Sequence, residues 1–283
     1  MKYERMPWKT VFCVVFLLWI TGIKQIQAQP GHWRIAYVLW QDTITSYHSI
    51  RMMKLNGKGD QSLINAGKSW LLMARGNQIW YQQAMDTAGK MKGLYNYKIN
   101  GKSDSYLFDA KGLYQDIDYS DSLDLYAGGF THQASGTLNK QYDIFLFSRD
   151  GKIKKAVTND TAIDLEPVFY PPGEKIFFRS NRDRNPASWA EFEIYSINID
   201  GTGLQRLTFN PDTTRNVLLA SNPGISPDGK IVFTGYWDKN YRIMVMNPDG
   251  SNLQPLIRMD SLEQTSFSFS PDGRYIVFAG RQK

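Results

Sequence analysis

Residues 224–238 read GISPDGKIVFTGYWD, and residues 267–282 read FSFSPDGRYIVFAGRQ. Each passes from a short apolar stretch through Ser-Pro-Asp-Gly into a second run of β-branched and aromatic residues. Proline fixes φ at the first position of the turn, and glycine accepts the positive φ that a tight reversal needs. Each copy therefore reads as two antiparallel strands around a hairpin. A related stretch, VFYPPGEKIFFRSNRD, occupies residues 168–183, and weaker relatives surround Gly31, Gly67 and Ser122. That makes six starts, three of them strong.

A second motif interleaves with the first. Its copies are IRMMKLNGKGDQSL at Gly57, LYNYKINGKSDSYL at Gly101, IFLFSRDGKIKKAV at Gly151, IYSINIDGTGLQRL at Gly201 and IMVMNPDGSNLQPL at Gly250. The glycines are separated by 44, 50, 50 and 49 residues. Each unit is then strand A, tight turn, strand B, longer loop, strand C, tight Asp-Gly turn, strand D. Four antiparallel strands every 40–50 residues are the mark of a β-propeller blade. A β-sandwich would not explain the regular interval, and no segment shows a sustained helical period. The expectation is an all-β propeller of four-stranded antiparallel blades, about six of them, the last incomplete or shared between the termini. The sixth unit has strands A and B, then stops at Lys283, and the first has no obvious strand A before Gly31. A truncated or partial chain is expected on that ground.

The copies SPDGKIVFTG and SPDGRYIVFAG, with IYSINIDGTGLQRL and IMVMNPDGSNLQPL, resemble the WD40-like (PD40) repeats of the TolB propeller family. Ser180–Asn185 followed by Glu193–Gly203 is an especially close likeness. The resemblance is strong over residues 160–280 and weak over 30–160. It implies a bacterial periplasmic setting and partners among envelope proteins or lipoproteins, a peptidoglycan-associated protein or a polysaccharide included. The separate N-terminal α/β domain of that family is not expected here, because repeats begin almost directly after Ala28.

The chain has 283 residues, 42% hydrophobic and 21% charged, with 23 Gly and 12 Pro. Those values suit a folded domain and exclude collagen-like, low-complexity and disulfide-scaffold classes. Lys2, Arg5 and Lys9, the apolar run Val11–Ile20 and the small residue Ala28 follow the order of a secretory signal peptide. Residues 1–28 are expected to be cleaved, leaving a propeller over 29–283 that is exported to the periplasm or secreted. The cut removes Lys2, Arg5, Lys9 and Lys24 against Glu4, so the net charge falls from +6 to +3. Neither a nucleic-acid partner nor a membrane span is expected after that. The lone cysteine, Cys13, leaves with the leader.

Strand order places the A–B and C–D turns on one face of the ring and the longer B–C and D–A connections on the other. Trp40 and Asp42, Phe130 and His132, Asn181, Arg182, Asp183 and Arg184, and Tyr236, Trp237 and Asp238 collect on the second face. They are the expected partner-binding residues, since propellers recognise partners through such loops. No G-x-S-x-G elbow is present, His32, His48 and His132 have no metal-ligand spacing, and no catalytic residue, metal or cofactor is expected. The acidic stretch Asp116–Asp124 alternates with Ile117 and Tyr119 as a strand does, and it departs from a calcium loop in having no glycine and no distal Glu. The leading expectation is an exported, non-enzymatic binding propeller. The alternative is the propeller module of a longer enzyme, such as an S9-type peptidase or a carbohydrate-active protein. A lone lyase or hydrolase would use residues such as His132 and Asp238.

Overall fold

The computed structural model describes residues 13–15, 20–29, 32–42, 47–54, 58–64, 69–84, 91–110, 112–131, 141–171, 173–183, 191–209, 220–237, 239–270 and 275–282. After β1 (Cys13–Val15), the first sheet is β2 (Ile20–Gln29), β3 (His32–Asp42), β4 (Tyr47–Lys54) and β5 (Gln61–Ile64). The second is β6 (Ser69–Arg75), β7 (Gln78–Ala84), β8 (Met91–Lys98) and β9 (Ser103–Phe108). The third is β10 (Leu113–Ser120), β11 (Leu125–Thr131), β12 (Tyr142–Phe147) and β13 (Ile153–Ala156). The fourth is β14 (Asp164–Tyr170), β15 (Lys175–Ser180), β16 (Glu193–Asn198) and β17 (Gln205–Arg206). The fifth is β18 (Ala220–Ile225), β19 (Ile231–Trp237), β20 (Asn240–Met246) and β21 (Gln254–Pro255). Within each of these sheets sequential neighbours pair antiparallel. The innermost strands β2, β6, β10, β14, β18 and β22 (Leu262–Phe269) neighbour one another in turn, and β2 returns to β22.

Five blades have four strands, not the about six expected. The remaining sheet has three: β22, β23 (Ile276–Gln282) and β1, which lies parallel to β23 with Cys13 opposite Val277. Its third place is taken by that parallel segment and not by an antiparallel C strand. Two details of the repeat reading are also corrected. The first unit does have an inner strand, β2, and it falls within the segment read as a leader. In the second unit the A–B turn is Gly76–Asn77, not Gly67, which lies outside the described residues. Ser69–Arg75 pairs with Gln78–Ala84, and Gly76 takes the positive φ of +56°.

The tight turns follow one plan. In the C–D turns of the third, fourth and fifth blades, Gly151, Gly201 and Gly250 have φ of +79°, +88° and +86° and donate N–H to the carbonyls of Ser148, Asn198 and Asn247, each at 2.9 Å. The preceding aspartate accepts a backbone N–H two residues on, Thr202 to Asp200 and Ser251 to Asp249, both at 2.9 Å. Hydrogen bonds from the Thr202 and Ser251 side chains, and then these backbone bonds, hold the Asp200 and Asp249 carboxyls below the usual range. The A–B turn at Ser226–Lys230 repeats the geometry with Gly229. Pro271-Asp272-Gly273, read as another such turn, lies outside the described residues.

Among the described residues, the apolar layers lie between blades. One apolar layer joins Ala36, Val38, Ile50 and Met52 of the first blade to Leu71, Ile79 and Tyr81 of the second. Another joins Leu72, Trp80, Leu94 and Phe108 to Leu113, Ile117, Tyr126 and Phe147 of the third. Similar layers join the third blade to the fourth, the fourth to the fifth and the fifth to β23. Strands B and C are thus covered on both faces, which is why YDIFLF of β12 is buried at every position, whereas all four residues of the outer β13 are exposed. Blades approach closely at Gly129, where a Cβ would sit 3.0 Å from Leu165 Cδ2 and 3.1 Å from the Asp164 carbonyl.

Candidate functional site

The inner strands enclose an axial cavity of about 520 Å³. Its wall comes from Leu71–Ala74, Tyr114, Asp116–Asp118, Glu166–Val168, Asn222–Ile225 and Ser266–Phe269. At this height β6, β10, β14, β18 and β22 each carry a register shift. A bulge leaves backbone groups without ladder partners and re-aims side chains. Glu166 and Asn222, inside two of these bulges, take φ of +55° and +50°. Such conformations persist when their surroundings hold them. Here Glu166 Oε2 accepts the Asn222 N–H at 2.6 Å, and Oε1 pairs with Arg179 Nη2 at 2.9 Å. The Arg179 guanidinium lies 4.4 Å from the Phe192 ring centroid. One blade earlier, Asp118 Oδ2 accepts the Phe169 N–H at 2.9 Å.

These carboxylates reach across blade boundaries and accept backbone N–H groups on the inner strand of the next blade. The alternation of Asp116 and Asp118 with Ile117 does mark a strand, but its polar residues face the axis. Asp116, Asp118 and Glu166 are the charged members of the lining, which includes no His, Lys, Arg or Cys among the described residues. Burial pushes the Tyr114 hydroxyl up. Among the described residues the channel wall is therefore acidic and hydrogen-bonding.

On the loop face, the expected binding residues whose side chains are described take part in packing, hydrogen bonds and ion pairs within the fold. Asn181 is fully buried, and its Oδ1 accepts the Ile163 N–H at 2.8 Å. Arg182 donates to both oxygens of buried Asp164, at 2.9 and 2.7 Å, and pairs with Asp160 at 3.1 Å. Its guanidinium lies 5.5 Å from the Phe178 ring and 5.2 Å from the Tyr195 ring. Asp183 accepts from Tyr195 Oη at 2.7 Å and pairs with Arg206 at 3.5 Å. Phe130 is buried against Phe145 and Phe147. Tyr236 is buried edge-on to Tyr241, and Trp237 is half-buried against the layer between the fourth and fifth blades. Trp40 and Asp42 stand near the loop end of β3, where the backbone alone is described. His132, Arg184 and Asp238 lie outside the described residues.

Carboxylate oxygens of Asp143, Asp160 and Asp164 lie within 4.8 Å of one another. Two of the three carboxylates already have a cation, Arg182. Asp143 accepts from Thr158 Oγ1 at 3.0 Å, and the same hydroxyl accepts the Ile144 N–H at 2.9 Å. Complete burial, with Asp160 nearby, pushes the Asp164 carboxyl up to about 6 against the pull of Arg182. The fourth blade repeats the clasp: Thr208 Oγ1 accepts from the Ile194 N–H at 2.9 Å and donates to Glu193 at 2.5 Å. The sequence analysis missed it, although an acid opening strand C recurs fifteen residues before a threonine in both blades. It also missed Phe209, which is 66% exposed on the loop face with the Arg206 guanidinium 4.6 Å from its ring centroid. Phe209 comes three residues after the two-residue D strand Gln205–Arg206, beyond the repeat motif that ends at Leu207.

A family model described as the TolB beta propeller domain (PD40) matches residues 129–283. Among solved structures, TolB from Acinetobacter baumannii is 20% identical with a TM-score of 0.61, covering 85% of this chain and 56% of that one. The chain thus spans little more than half the length of that relative. Putative TolB from Agrobacterium tumefaciens is 16% identical with a TM-score of 0.62, covering 90% and 89%. An oligogalacturonate lyase in complex with manganese is 12% identical with a TM-score of 0.54, covering 85% and 65%. A comparison with curated proteins finds no match. No helix among the described residues is long and apolar enough to cross a membrane.

Removing one member of a buried ion pair leaves the other charge uncompensated and costs about 3–5 kcal/mol. Arg182→Ala is therefore expected to lower unfolding stability in urea at neutral pH by that amount. An unchanged midpoint would show that Arg182 is a surface group and return it to the candidate binding residues.

Proposed function

The chain belongs to the TolB β-propeller domain family, and from that premise we propose that it is an exported, non-enzymatic propeller that binds a protein or other cell-envelope component through its B–C and D–A loop face. The observation that carries this reading is the division of labour on that face. Asn181, Arg182 and Asp183 are tied into the fourth blade and the segment that enters it, while Phe209 is left exposed beside Arg206, just past the outer strand β17. An exposed aromatic ring stacked by arginine is the kind of group that anchors protein interfaces. The partner class is an envelope protein or lipoprotein, or a polysaccharide.

A second reading, in which the chain is the propeller portion of a longer enzyme, draws support from the same fold in an oligogalacturonate lyase. In that case chemistry lies in residues beyond those described.

Export rests on the basic start, the apolar run and Ala28. A cut after Ala28 removes β1 and nine of the ten residues of β2, freeing the inner edge of β3 and one edge of β23. Intact mass of protein recovered from the envelope fraction reads the N-terminus directly. A chain starting at Gln29 is expected, and full-length protein would overturn the leader and retain β2 as the inner strand of the first blade.

The binding face is tested with a photoreactive benzoylphenylalanine replacing Phe209, and separately Tyr106, which is exposed on the outer strand β9. One envelope partner is expected to cross-link from position 209 and not from 106. Equal capture at the two positions, or none at 209, would remove the loop face from consideration.

A further inference from the structure

A second concavity lies on the opposite face, among the tight turns, at the junction of the second and third blades. It encloses about 380 Å³. Arg75, Gly76, Asn77 and Gln78 of the second blade's A–B turn line it with Trp80 and Lys98, and the third blade contributes Tyr119, Asp121, Tyr126 and Arg149. The floor is fixed: Trp80 and Tyr126 are buried, and the indole Nε1 donates to Tyr126 Oη at 3.0 Å. Above it stands Tyr119, whose ring centroid is 4.8 Å from that of Tyr126. Two guanidiniums flank the Tyr119 ring, Arg149 at 5.2 Å and Arg75 at 5.9 Å. Arg149 pairs with Asp124 at 2.8 Å and donates to the Tyr119 hydroxyl at 2.5 Å, and Arg75 pairs with Asp121 and donates to the Tyr119 carbonyl. Lys98 is exposed and has no acidic partner among the described residues.

The repeat itself supplies an independent observation. Aligned on the C–D glycine, the position of Arg149 is Leu55, Ile99, Ile199 and Pro248 in the other four blades. The position of Arg75, which pairs with the first residue of strand B, is Ser120 in the third blade and Tyr170 in the fourth. Architecture asks for an apolar residue or a small polar one at these places. The two arginines depart from it on opposite sides of one blade junction, converging on one aromatic wall.

We propose that this groove binds a carboxylate carried on a six-membered ring, either an aryl carboxylate or a uronic acid. Its formal charge fixes the class. Arg75, Lys98 and Arg149 set against Asp121 and Asp124 leave a net +1, which matches one carboxylate rather than a dianion. The ring stacks on the Tyr119 wall, and the carboxylate takes charge-assisted hydrogen bonds from the basic rim, where arginine offers a planar pair of donors. The site is separate from the loop face, so it stands or falls apart from the partner reading.

The test is calorimetric titration of the full chain with 4-hydroxybenzoate, with glucuronate and with inorganic sulfate. The proposal expects saturable binding of one or both ring carboxylates and little or none of sulfate. The ring that binds identifies the source. Arg149→Ile restores the residue that two sibling blades already carry, so the fold tolerates it, and it is expected to weaken binding about tenfold or more, as loss of a charge-assisted contact does. Arg75→Ser is expected to act in the same direction, and Lys230→Ala, at the A–B turn of the fifth blade, to leave affinity unchanged. Three results would overturn the proposal: no binding by either ring carboxylate, sulfate binding as tightly as they do, or full affinity retained in Arg149→Ile.

Discussion

Burial of strands B and C on both faces is the constraint on which the rest of this structure depends. A four-stranded sheet standing alone would leave the two sides of IFLF or KIFF in water. Stacked against neighbours on either side, it removes both from water, and the hydrophobic gain scales with that area. Since the apolar layers lie between blades, adding blades in sequence cannot finish the job until the last meets the first. In the uncut chain the return of β2 to β22, and of β1 to β23, meets that requirement, and a cut after Ala28 would leave that junction open.

Polar chemistry follows from the same stacking. Inner strands must bend to surround an axis, and they do so through bulges that free backbone N–H groups. A buried N–H without an acceptor is costly. Asp118 and Glu166 supply acceptors from the preceding blade, and Asp143 with Thr158 and Glu193 with Thr208 close the return from strand D. Asp118 and Glu166 are thereby committed to joining blades, and Asp143 and Glu193 to closing single ones. What is left over for recognition is the exposed ring of Phe209 on one face and the Tyr119 groove on the other.

The fold was legible because its turns repeat. Gly151, Gly201 and Gly250 sit at nearly constant spacing, and each occupies the positive φ its turn demands. Legibility faded where the turn residues change. Gly67 took the place of Gly76 in the second unit because Gly76-Asn77 has no proline before it. β2 went unseen because ITGIKQIQA reads equally well as the end of a leader. Strand order alone sorts the loops into two faces, yet residue type could not tell a binding group from a clasp. Arg182 has the look of a solvated cation, and its engagement with Asp164 depends on a strand whose side chains the repeat does not specify. Phe209 and Arg149 carry the opposite lesson, since both are visible only as departures from what the repeat expects.

Membership of the TolB β-propeller domain family and the radial stacking of sheets are two views of one arrangement. Hydrogen exchange resolved along the chain examines it most directly. Stacking predicts slow exchange recurring in β7 and β8, β11 and β12, β15 and β16, and β19 and β20, interrupted at about fifty-residue intervals by fast exchange in the outer strands β13, β17 and β21. Protection gathered into a single block of the chain, or fast exchange in any one of those central pairs, would contradict it.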